Sequence, residues 1–183
     1  NHGGFTPITD RDENTLWCRM KKTGAEVRQQ DIRNVIHSEY VPEFHPFEAY
    51  FNSLPEWDGV DYIGQLARTV HVKSDQEEFV EYFRKWFVSM IPTILDTKVV
   101  NHEIMVFIGR QGNFKSTFFS LLLPPELQEY FHVKINSTYL SKDDTLSVCD
   151  KALVCLEEID ELRPSEVNRL KALVTAKYIN ERA

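Results

Sequence analysis

The feature that most constrains this chain is the segment Gly109-Arg110-Gln111-Gly112-Asn113-Phe114-Lys115-Ser116-Thr117, placed directly after the apolar run Ile104-Met105-Val106-Phe107-Ile108. The run is short, continuous and rich in β-forming residues, which predicts a buried parallel strand. From Lys115 to Leu123 the pattern predicts a helix, stopped by Pro124-Pro125. In a strand–loop–helix of this kind, backbone N–H groups and the helix dipole converge on one anion. The segment follows the phosphate-binding pattern G-x-x-x-x-G-K-[ST] except where Phe114 replaces the second glycine.

In that reading the backbone of the whole segment cradles the phosphates of ATP. Lys115 reaches the terminal phosphates, and the Ser116 hydroxyl binds Mg²⁺. Gly109 and Gly112 let the chain approach the phosphates closely. Phe114 argues against it: its ring has to point away from the phosphates, and a positive φ there costs about 1–2 kcal/mol. Taken alone, a strand–turn–helix with a chance lysine accounts for the same residues.

A second motif bears on the choice. Metal-assisted phosphate chemistry needs a buried strand that ends in carboxylates, and Leu153-Val154-Cys155-Leu156-Glu157-Glu158 has that form. Side chains alternate in direction along a strand, so one of the two acids faces the phosphates. Glu157 is assigned to Mg²⁺ and Glu158 to activation of the attacking water, and the two roles are interchangeable. With Lys115 they form the candidate catalytic set. A solvated acidic turn, extended by Asp160 and Glu161, is the competing reading.

Around these motifs the chain divides by pattern. Residues 1–98 read as mostly helical, with helices predicted over 9–22, 28–37, 61–70 and 77–95. Residues 99–183 alternate strand and helix, including strand 151–156 and helix 164–174, and so predict an α/β domain: a P-loop NTPase core with a parallel sheet. The first two helices, joined at Gly24, form either a packing module or a DNA-reading unit, with Arg19, Lys21 and Lys22 as candidate contacts. The stripe Phe79, Tyr82, Phe83, Trp86, Phe87 and Met90 fits the buried face of a helix better than a base-stacking surface.

Composition excludes several classes. A net charge of −7 over 183 residues argues against tight coating of duplex DNA by this chain alone. There is no apolar run long enough for a membrane span. Cys18, Cys149 and Cys155 have no metal-ligand spacing and suit a reducing interior. The first residue is Asn1 rather than Met, so the sequence reads as a segment of a longer protein.

These residues together resemble the virulence-associated E family, which is related to superfamily 3 helicases and to plasmid and phage primase-helicases. The resemblance runs from about Pro42 to the end. It rests on Phe44-His45-Pro46-Phe47, Leu54-Pro55-Glu56-Trp57-Asp58-Gly59, Ile108 to Gly112 with Lys115-Ser116-Thr117, Glu157-Glu158-Ile159-Asp160, and Asn168-Arg169-Leu170-Lys171-Ala172 leading to Ile179-Asn180-Glu181-Arg182-Ala183. It is similar to the form carried on mobile elements of Bacteroides-type bacteria, where aromatic residues before the loop lysine also occur. The resemblance implies an ATPase of the helicase type acting on single- or double-stranded DNA, joined to a primase domain. It further implies a homo-oligomeric ring in the bacterial cytoplasm, with further catalytic parts beyond Ala183. A non-hydrolysing scaffold, or a DNA- or protein-interaction module, is the alternative.

Overall fold

The computed structural model describes residues 8–96, 98–134, 145, 150–159 and 163–176. The fold is mixed and helix-rich, with a small parallel sheet of two strands among the described residues. The chain forms two compact units, Asn1–Ser53 and Leu54–Ala183.

The first unit opens with α1 (Asp10–Lys22), whose start is fixed by a capping box: Thr9 Oγ1 accepts from the Asp12 N–H at 3.3 Å, and Asp12 accepts the Thr9 N–H at 3.0 Å. Acids fill its first turn and bases its last, as the helix dipole favours. Gly24, at φ 84°, supplies the left-handed residue that ends it. The chain then returns in α2 (Gln29–Ile36). The Trp17 indole N–H donates to the Val27 carbonyl at 3.1 Å, Gln29 donates to Asn14 at 2.7 Å, and Arg33 pairs with Glu13 at 2.6 Å. Contacts that descend α1 as they climb α2 define an antiparallel hairpin. Next, α3 (Pro46–Ser53) is started by His45, whose Nδ1 accepts the Glu48 N–H at 3.2 Å, and it buries Phe47.

The second unit begins with the turn at Trp57. Trp57 is 77% exposed, and its indole N–H closes the turn onto the Val60 carbonyl at 2.9 Å. Next comes α4 (Tyr62–Arg68), capped by Asp61, which accepts the Gly64 N–H at 3.0 Å and is held at its other oxygen by Arg84 at 2.6 Å. The Arg84 hydrogen bond, then that of the Gly64 N–H, keeps the Asp61 carboxyl below its usual range. This contribution is present above the ordinary carboxylate range and is lost as pH falls through the lowered value. A Cβ on Gly64 would stand 2.1 Å from Asp61 Oδ2. Gly64→Ala is therefore expected to expel Asp61 and lower the thermal midpoint by about 2–5 °C, read by scanning calorimetry. Repeating the measurement at a pH low enough to protonate Asp61 should shrink the difference.

The core of this unit is aromatic. The long helix α5 (Gln76–Leu95) buries Val80, Phe83, Trp86 and Met90, the face its sequence periodicity predicts. Phe83 lies 6.0 Å from Phe118, and Trp86 lies 6.0 Å from Phe119; both partners belong to α6 (Lys115–Ser120). Phe107 completes the cluster, 4.7 Å from Phe119.

The sheet departs from expectation. Residues 104–108 form no strand among the described residues. Met105 and Phe107 are half-buried, while Ile104, Val106 and Ile108 are exposed, Ile108 to 96%. An unbroken apolar run implies cover on both faces, but here only Met105 and Phe107 are half-buried. The paired strands are instead β1 (Phe131–Lys134) and β2 (Leu153–Leu156), parallel, with Phe131 opposite Leu153 and Lys134 opposite Leu156. A 3-10 helix over Pro125–Tyr130 leads into β1 and buries Leu127. A further helix, α7 (Pro164–Thr175), lays Leu170 against Leu156, Ile159, Val167 and Val174.

Candidate functional site

The loop 109–114 is bracketed by two fixed points. Phe107, before it, sits in the aromatic cluster; Phe118 and Phe119, after it, dock α6 against α5. Within the loop, Gly112 has φ 85° and Phe114 φ 54°. Gly112 thus needs its glycine for conformation, whereas the backbone at Gly109 is not in the left-handed region. Phe114 adopts the left-handed conformation that the pattern reserves for glycine, and its ring is 77% exposed, pointed away from the core.

Relieving that strain returns about 1–2 kcal/mol, against which glycine gives up about 0.4–1 kcal/mol through its freer unfolded chain. Phe114→Gly is therefore expected to raise the thermal midpoint by roughly 1–3 °C, and Phe114→Val to lower it. Scanning calorimetry of both variants decides the order.

Lys115 opens α6. Its Nζ donates to the carbonyls of Gly109 and Arg110, each at 2.9 Å, so the ammonium lies folded over the loop's own backbone. One residue on, the Ser116 hydroxyl donates a short hydrogen bond to Glu157 Oε1. This contact spans 41 residues and joins the loop to the end of β2. Glu157 is placed there by the sheet, because its N–H donates to the Lys134 carbonyl at 3.0 Å and so extends the ladder past Leu156. The strand then ends abruptly: Glu158 has φ 56° and is exposed.

Of the residues singled out by sequence, the structure brings Ser116 and Glu157 together and places Lys115 on the loop at Gly109 and Arg110. Gln111, Asn113 and Thr117 are exposed along the same segment. Glu158 makes no hydrogen bond to the loop among the described residues. Asp160, Glu161 and residues 179–183 lie outside the described residues. Sequence reading missed β1, whose Lys134 carbonyl positions Glu157. Its signal was the alternation Phe131-His132-Val133-Lys134, too short to count as a period.

The electrostatics of the strand end register on Cys155. Burial, then the Glu157 carboxylate, pushes the Cys155 thiol above its ordinary value. Ser116 and Glu157 present adjacent oxygen donors, the kind a hard cation such as Mg²⁺ accepts when phosphates and water complete its shell. No cluster of three or more His, Cys, Asp or Glu side chains suited to a metal occurs among the described residues.

No curated protein and no solved structure matches the chain. Its family is nevertheless defined: residues 51–183, which carry the loop, the β2 acids and the Trp57 turn, match the model of the virulence-associated protein E-like domain. The chain belongs to the virulence-associated protein E-like family.

Proposed function

We propose that this chain is the ATP-binding core of a DNA-dependent ATPase of the helicase type, encoded on a mobile genetic element. The observation that carries the reading is the Ser116–Glu157 hydrogen bond, which brings a loop hydroxyl and a strand-end carboxylate together beside Lys115. In a phosphate site Lys115 exchanges the carbonyls of Gly109 and Arg110 for the terminal phosphates of ATP. Ser116 and Glu157 would hold Mg²⁺, which when bound supplies positive charge against the phosphate oxygens. Glu158, exposed at the strand end, is available to orient the attacking water.

Family membership suggests a mobile-element protein. DNA as substrate, a primase as partner, a homo-oligomeric ring and a bacterial cytoplasmic setting follow from the family's resemblance to primase-helicases. Among the described residues no helix is long and apolar enough to cross a membrane.

Titration calorimetry with Mg·ATP tests the reading. Saturation at about 100 times Kd should stabilise the fold by about 2.7 kcal/mol, a rise in midpoint of about 5–10 °C. A second reading, a scaffold that does not hydrolyse ATP, is favoured by Phe114 in place of glycine. Absence of both heat and thermal shift would select it.

A further inference from the structure

The outer face of α1 carries its charges in an uneven arrangement. All three acids of the helix are engaged within the first unit: Arg33 holds Asp10 at 3.1 Å and Glu13 at 2.6 Å, and Asp12 is tied to Thr9 in the capping box. Glu13 is 8% exposed, so its carboxylate is withdrawn from the surface. The cations are left outside. Arg11, Arg19 and Lys22 enter no ion pair among the described residues and line one shallow depression with Asn14, Thr15 and Cys18.

An ordinary solvated helix sets an acid three or four residues before each base. Here Thr15 and Leu16 precede Arg19, and Cys18 and Arg19 precede Lys22. Arg19 and Lys22 are thus neighbours of like charge, a pairing that costs a helix about 0.2–0.5 kcal/mol. At 1.5 Å per residue, the interval from Arg11 to Lys22 spans about 16 Å, room for more than one phosphate of a nucleic-acid strand. The one carboxylate at its margin, Asp12 beside Arg11, is tied to Thr9 in the capping box.

We infer that this face of α1 binds the phosphate backbone of a nucleic-acid strand without reading its sequence. The chain's net charge of −7 does not oppose this, because Asp10 and Glu13 are paired with Arg33 and Asp12 is bonded to Thr9. The inference is independent of the phosphate loop, since the face lies in Asn1–Ser53 and the loop in Leu54–Ala183.

Fluorescence anisotropy with a labelled 20-nucleotide oligothymidylate, over a series of salt concentrations and without ATP, tests it on the whole chain. The triple variant Arg11→Gln, Arg19→Gln, Lys22→Gln keeps good helix formers at exposed positions. It should bind about tenfold or more weakly, with a salt slope shallower by about 2, at about 0.7 per phosphate contact. Removing equal charge elsewhere, with Lys73→Gln, Lys98→Gln and Lys171→Gln, should change affinity by less than about twofold, because screening limits remote charges. Cys18 gives a readout without mutation: it is exposed on this face. Saturating oligonucleotide should slow its alkylation several-fold, as followed by peptide mass, while Cys155 serves as reference. Equal binding by the two triple variants, no binding by the unaltered chain, or unprotected Cys18 at saturation would overturn the inference. So would protection of Cys18 by phosphatidylserine vesicles but not by the oligonucleotide.

Discussion

Lys115→Ala is expected to abolish Mg·ATP binding or to cut hydrolysis by a factor of about 100–1,000 or more, the loss typical when one preorganised charge-stabilising donor is removed. The Lys115 ammonium lies on the Gly109 and Arg110 carbonyls and so folds back over the start of the loop. Alanine leaves those exposed carbonyls to water and removes the only lysine in the segment. The fold should be nearly unaffected, because no buried group loses a partner. Activity and midpoint should therefore separate: calorimetric titration shows the loss while the thermal midpoint without ligand stays within about 2 °C. Unchanged binding and hydrolysis in the variant would remove Lys115 from the site and with it the proposed function.

The second large effect concerns the scaffold. Phe83 is 0% exposed and lies within 5.7–6.0 Å of the rings of Phe79, Trp86, Phe87 and Phe118. Phe83→Ala opens a cavity where four rings meet, and a loss of about 3–5 kcal/mol is expected. In a chain of this size that lowers the midpoint by about 8–15 °C. Since Phe118 belongs to α6, the cavity also loosens the helix that carries Lys115 and Ser116, so Mg·ATP affinity should fall together with stability. Phe83→Leu, which keeps most of the volume, should recover more than half of both losses. Urea unfolding and calorimetric titration of the two variants check this; a loss below about 1 kcal/mol would show that the cluster is not the support of the loop.

What was legible in the sequence was local. The start of α1 at Thr9 and the span of α5 follow from capping residues and apolar spacing within one helix. The candidate loop and the acids after β2 were singled out by spacing alone, and the structure joins them through the Ser116–Glu157 hydrogen bond. The behaviour of residues 104–108 was not legible. An apolar run states how much surface wants cover, not how many faces find it, and here only Met105 and Phe107 are partly covered. The strand β1 escaped notice because four residues carry too little periodicity, and its existence depends on a parallel partner some twenty residues later. The left-handed turn at Glu158 has no composition signal, since nothing in a glutamate asks for φ 56°.

The aromatic cluster has an optical consequence. The chain's three tryptophans occupy three different surroundings: Trp57 in water, Trp17 half-buried in the α1–α2 hairpin, and Trp86 buried 6.0 Å from Phe119. Acrylamide reaches the first and spares the last, so quenching isolates the blue emission of Trp86. Phe119 and Ser116 share one short helix, so ligand binding at the loop is expected to shift the emission of that indole. The molecule contains its own fluorophore for the state of its loop, and a Trp57→Phe, Trp17→Phe background would turn ligand binding into a colour shift without any attached dye.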